Sequence, residues 1–98
     1  MAEIRAEAQV GSAFEEWRPW RLHPQVALRP ESFGALAYHY GNRRLVFLRS
    51  HLLVDLVESL GRFESAAEAL DTVVPTAKRA SYWRALERLA ASEVIDVR

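Results

Sequence analysis

No cysteine occurs among the 98 residues, so the chain can have neither a disulfide framework, nor a thiolate metal site, nor a cysteine nucleophile. An excess of one charge is lacking as well. Thirteen Lys plus Arg against thirteen Asp plus Glu give a formal net charge of zero, which removes the global pull that most nucleic-acid binders use and leaves only local basic patches. No apolar run is long enough to cross a bilayer, and the opening MAEIRAEAQVGSAF lacks the charged-then-apolar order of a signal peptide. A cytoplasmic protein with no membrane segment is the expectation. Glycine-rich phosphate loops, internal repeats and low-complexity tracts are missing too. What is present is the balance of one small globular domain, half of it hydrophobic and 27% charged.

Catalysis finds little to stand on. His23, His39 and His51 fall on three different elements without metal-ligand spacing. Ser50 beside His51 reads as a helix cap, because adjacent residues at a helix start point in different directions. The carboxylate pair Glu15-Glu16 falls in an Ala-rich leading arm with nothing to tune it. The expectation is therefore a non-enzyme without metal or cofactor.

Periodicity organises the remainder. WRLHPQVAL (Trp20 to Leu28) alternates as a half-buried strand, with Pro24 where no ladder donor is needed, and RPES reads as the turn after it. GALAYHY forms the next strand, and Gly41-Asn42 predicts a two-residue primed hairpin placing Tyr38 opposite Leu45 and Leu36 opposite Phe47. In that register Leu36, Tyr38, Leu45 and Phe47 make one bulky face, and Val46 and Leu48 are left beside Ala37 and Ala35 on the outer face. After Arg49 the period lengthens to that of a helix. Ser50 caps a first helix ending near Gly61, Ser65-Ala-Ala-Glu68 is a capping box for a second that Pro75 stops, and Thr76 opens a third with Ala80, Trp83, Leu86 and Ala90 inward. EVIDVR reads as a short extended tail. The fold class is α+β, a three-stranded antiparallel sheet followed by three helices.

Two features carry functional meaning. The helical half has the form of a helix-turn-helix with Lys78, Arg79, Arg84 and Arg88 on its surface, so a winged-helix DNA-binding regulator is one reading. The other is the run RRLVFLR, Arg43 to Arg49, whose centre is apolar at every position. A last strand of a meander is an edge, and this one lacks the lysine, proline or inward charge that guards edges against pairing. Such an edge suits β-augmentation by an extended peptide, and Arg43, Arg44 and Arg49 favour one that carries carboxylates. The same edge could pair with a second copy and give a homodimer, or be covered by the chain's own N-terminal arm, with Phe14 and Trp17 as lids.

WRLHPQVALRPESFGALAYHYGNRRLVFLRS, LVDLVESL and YWRALERLAASEVID together resemble the mycofactocin biosynthesis chaperones, a family within the PqqD-like group of peptide-recognition elements. The resemblance covers roughly residues 17–96, which divides the chain into a flexible N-terminal arm, 1–16, and a peptide-recognition domain, 17–98. It implies a winged helix-turn-helix fold turned from DNA to peptide, without catalysis, cofactor, nucleic acid or membrane. The implied partners are the leader region of a ribosomally made precursor peptide and a radical S-adenosylmethionine (radical SAM) maturase. By the family's pattern the leader adds beside the third strand and packs toward the third helix. The expected peptide-binding residues are Arg43, Arg44, Leu45, Val46, Phe47, Leu48 and Arg49 on the strand, with Lys78, Arg79, Tyr82, Trp83 and Leu86 on the helix.

Overall fold

A break at His23-Pro24-Gln25 governs the first part of the fold. Proline has no N–H for a ladder, and the chain turns there, Val26 N donating to His23 O at 2.9 Å. The single strand expected from Trp20 to Leu28 is therefore two: β1 (Trp20–Leu22) and β2 (Val26–Glu31). They enter different sheets. With β3 (Gly34–His39) and β4 (Leu45–Leu48), β2 forms a three-stranded antiparallel sheet in the order β2-β3-β4. β1 pairs instead with a C-terminal strand, β5 (Ile95–Val97), Trp20 lying opposite Val97 and Leu22 opposite Ile95. The expected tail is thus a paired strand. The computed structural model from which these positions are taken describes residues 14–98.

The turn expected at RPES moves two residues on. Arg29, Pro30 and Glu31 stay in β2, and Ser32-Phe33 makes the turn, with Glu31 opposite Gly34. Pro30 is tolerated because β2 is an edge of its sheet among the described residues. Gly34 has φ +148°, and a Cβ there would run into the Leu48 carbonyl and the Ser50 nitrogen. Only glycine allows the start of β3 to lie so close to the end of β4.

The next hairpin has the expected register, Tyr38 opposite Leu45 and Leu36 opposite Phe47, but a different turn. Positive φ falls on Arg43 (66°), not on Gly41 or Asn42. Arg43 N donates to His39 O at 2.8 Å, and the His39 ring Nδ1 accepts from Gly41 N at 3.0 Å and Asn42 N at 3.1 Å. A buried side chain thus supplies acceptors that a primed turn would not need.

The faces of this sheet are the reverse of the expectation. Ala35 and Ala37, each 1% exposed, and Leu48, fully buried, point into the core, whereas Leu45 and Phe47 are exposed. The reason is the close approach of a helix. α1 (His51–Ser59) packs on β3, and small residues under it let Leu56 and Val57 reach the core with Leu48. Bulky residues there would hold the helix away.

Ser50 caps α1 as expected, its Oγ accepting from Leu53 N at 3.1 Å. A 3-10 turn, Leu60–Arg62, follows, then α2 (Ala66–Val73), whose cap Ser65 accepts from Glu68 N at 3.1 Å. The return arm of the box is shifted by one, since Glu68 Oε1 accepts from Glu64 N at 3.0 Å. α3 (Arg79–Ala91) is entered through a 3-10 turn, Thr76–Lys78, without a side-chain cap bond, so Thr76 does not play the capping role expected of it. Leu86 and Leu89 are its buried residues and Ala80 is exposed.

Phe14 is 4% exposed and lies against Trp20 and Trp83, with ring centroids 5.1 and 5.3 Å apart. Glu16 O accepts from Ala67 N at 2.8 Å. Residues 14–16, expected in the arm, are therefore packed on the helices. The rest of that arm, Met1 to Ala13, lies outside the described residues. Altogether this is an α+β fold in which the antiparallel β2-β3-β4 sheet precedes the helices in a winged-helix-like arrangement.

Candidate peptide-binding groove

β4 is the last strand of its sheet among the described residues, and its outward-directed backbone groups follow from the ladder. His39 N donates to Arg44 O at 2.9 Å, so His39 and Arg44 are a hydrogen-bonded pair. With period two, Ala37/Val46 and Ala35/Leu48 are the next such pairs. The N–H and C=O of Leu45 and Phe47 consequently point away from β3. They face outward at the free edge.

Beyond that edge a groove runs between β4 and α3. One hollow of about 440 Å³ is lined by Phe47, Arg49, Ser50, Leu53, Ser81, Tyr82, Ala85 and Arg88. A second, of about 290 Å³, continues it along Val46, Phe47, Leu53, Ala85, Arg88, Leu89 and Ser92. Recesses of this size hold a few side chains rather than a whole domain. Ser50 Oγ and Tyr82 Oη are 2.7 Å apart, which ties the end of β4 to α3 and fixes the width of the groove there. Phe47 is held from two sides, stacked on Phe33 at 5.7 Å and covered by the Arg49 guanidinium at 4.9 Å. Among the described residues the lining contains two arginines, several hydroxyls and no carboxylate. It suits an extended segment with small apolar and acidic side chains.

The residues expected from sequence divide into groups. Val46, Phe47, Arg49 and Tyr82 meet in the groove. Leu45 sits on the edge but lines a recess on the outer sheet face. Leu48 is fully buried in the core. Arg43 and Arg44 are exposed in the hairpin turn, and Lys78 is exposed ahead of α3. Arg79 points elsewhere, bonded to Asp71 Oδ1 at 2.6 Å and Glu16 Oε1 at 3.1 Å. The hydrogen bond to Asp71 is the main cause that raises its pKa above the ordinary guanidinium value, with Glu16 adding to it against some desolvation. The cation's contribution is thus complete below its ordinary range and lost only in strongly alkaline solution. Trp83 packs on Phe14, and Leu86 is in the core.

The wall of the groove is therefore one step round α3 from the expected Tyr82-Trp83-Leu86 face. It consists of Ser81, Tyr82, Ala85, Arg88, Leu89 and Ser92. Spacings of three and four place these on one side of a helix. That spacing was readable, but the large Trp83 and Leu86 draw attention to the neighbouring side, which the core uses. Leu53 and Ser50, also absent from the expected set, enter because α1 starts at the groove floor.

Among the described residues no cluster of three His, Asp or Glu side chains is placed to hold a metal ion, and no helix is long and apolar enough to cross a membrane. No solved structure matches the chain. Curated proteins do: peptide chaperone MftB of Mycobacterium ulcerans is 42% identical over 92 residues, covering 92% of this chain and 84% of that protein. MftB of Mycobacterium tuberculosis is 39% identical over 95 residues (96% and 87%), and that of Mycolicibacterium smegmatis 46% over 77 (78% and 76%). The profile of the peptide chaperone MftB family matches residues 19–96, essentially the whole of the packed domain from Pro19 to β5. The chain therefore belongs to the peptide chaperone MftB family.

Proposed function

We propose that this chain is a non-catalytic peptide chaperone of mycofactocin biosynthesis, which binds the leader of a ribosomally made precursor and presents it to a radical SAM maturase. The observation that carries the reading is the groove between the outward backbone of Leu45 and Phe47 and the Tyr82-Ala85-Arg88 side of α3. The leader pairs antiparallel with β4 and sends alternate side chains into the groove, beside Leu53 and Ala85. Arg49 and Arg88 receive its carboxylates. Each apolar side chain buried there contributes about 1.5–3 kcal/mol. Ordering the leader and losing its free motion offset much of that, which leaves an affinity near micromolar, about 8 kcal/mol. Holding the leader on a protein that also docks on the maturase raises the local concentration of the core peptide there.

The ladder dictates the test. Leu45→Pro removes an outward N–H and spares the β3–β4 bonds, so the domain stays folded and leader binding in calorimetry falls at least about tenfold. Leu45→Ala keeps the N–H and retains most of the affinity. If Leu45→Pro binds the leader as the unaltered chain does, strand addition is wrong.

A further inference from the structure

The groove leaves the other side of the sheet unused. Of the four large apolar residues exposed among the described ones, Tyr40 and Leu45 lie there, Phe47 stands at the edge that this face shares with the groove, and Trp17 lies elsewhere. With Ala27, Leu36 and Tyr38, Tyr40 and Leu45 line a shallow recess on the outer face. Tyr38 and Tyr40 meet edge to face at 4.9 Å. The core does not need these side chains, because Ala35, Ala37 and Leu48 supply its side of the sheet. Contiguous exposed apolar surface on a small domain marks a docking site.

The charges around this face indicate what covers it. Arg29 lines the recess, Arg49 lies over Phe47, and Arg43 and Arg44 are exposed at the hairpin end. The one carboxylate on this face of β2, Glu31, is held by Arg29 at 2.8 Å. A second copy stacked face to face would bring arginine against arginine. An apolar surface rimmed with carboxylates is complementary. Continuity with the groove adds a second argument. A strand added along β4 extends the sheet, and the alternate side chains that miss the groove emerge beside Leu45 and Phe47 on this outer face.

The geometry points to the outer face of the β2-β3-β4 sheet as the surface by which the maturase, through an acid-rimmed apolar patch, grips the leader-loaded chaperone. This rests on the function proposed above. Loading completes the surface, so the maturase binds the loaded chaperone more tightly than the empty one, and by linkage the leader binds more tightly when the maturase is present.

Ala27→Glu and Tyr40→Ser test it at positions away from the β4 edge. Each is titrated in calorimetry with the leader peptide alone and, saturated with leader, with the purified maturase. Leader affinity stays within about twofold of the unaltered chain, which also verifies folding, while maturase affinity falls at least about tenfold for Ala27→Glu. Ala27→Lys, of opposite sign, loses less. Unchanged maturase affinity in both variants with intact leader binding overturns this inference alone. Absence of leader binding to the unaltered chain overturns the function reading instead. One further outcome assigns the face to another occupant and overturns the inference: a dimer in light scattering that Ala27→Glu dissociates.

Discussion

Single residues decide which side of the sheet is inside. Ala37 is 1% exposed and sits under α1, so Ala37→Leu overpacks the helix-sheet contact and destabilises by about 1–3 kcal/mol in urea titration. Leu45→Thr, on the exposed side, changes stability by no more than about 0.5 kcal/mol. With the bulky face inside, these two results would be exchanged. His39 acts at the same scale. Its Nδ1 accepts two backbone N–H groups of the hairpin turn, while Nε2 is buried without a partner among the described residues and the His23 ring lies 4.4 Å away, centroid to centroid. His39→Phe keeps the bulk and removes the acceptors, leaving donors unpaired. A loss of about 1–3 kcal/mol is expected, with faster hydrogen exchange at Gly41 and Asn42.

At the scale of elements, the groove depends on how α1, α3 and β4 are joined. Ser50 serves all three, since it follows β4 by two residues, caps α1 and shares a hydrogen bond with Tyr82 of α3. Ser50→Ala loses the cap, about 0.5–2 kcal/mol, whereas Tyr82→Phe leaves the cap in place and removes only the tie. Denaturation and leader titration together separate these effects: Ser50→Ala lowers both stability and affinity, Tyr82→Phe chiefly affinity. On the far side of α3, Phe14 fills the space between Trp20 and Trp83. Phe14→Ala opens a cavity there and destabilises by about 3–5 kcal/mol in the same denaturation measurement, because Phe14 is part of the core.

Across the whole molecule, zero net charge coexists with a groove of one sign. Arg49 and Arg88 flank it, and no carboxylate among the described residues lines it. Carboxylates gather elsewhere: Asp71 and Glu16 hold Arg79, and Asp96 holds Arg21. Leader binding therefore weakens as salt rises, although the protein as a whole attracts neither sign. Reversing both groove arginines to Glu lowers leader affinity at least about tenfold at low salt, and the difference shrinks as the salt is raised toward 1 M.

Much of this was legible in the chain. Local chemistry was sufficient for the caps at Ser50 and Ser65, the stop at Pro75 and the β3–β4 register, because each depends on neighbours within a few residues. The family was legible in longer stretches for the same reason: RRLVFLR and YWRALERLAASEVID keep their pattern whatever lies around them. Tertiary structure alone decided the rest. Alternation marks two faces of a strand but does not say which one a helix will cover, so the alanine side became the core and the aromatic side the surface. The pairing of β1 with β5 joins residues more than seventy positions apart, which no local period records. Whether α3 offers Trp83 or Ala85 to the groove is likewise set by where Phe14 and β4 come to rest against it, since a helix with apolar residues on more than one side can be turned either way until its neighbours are in place.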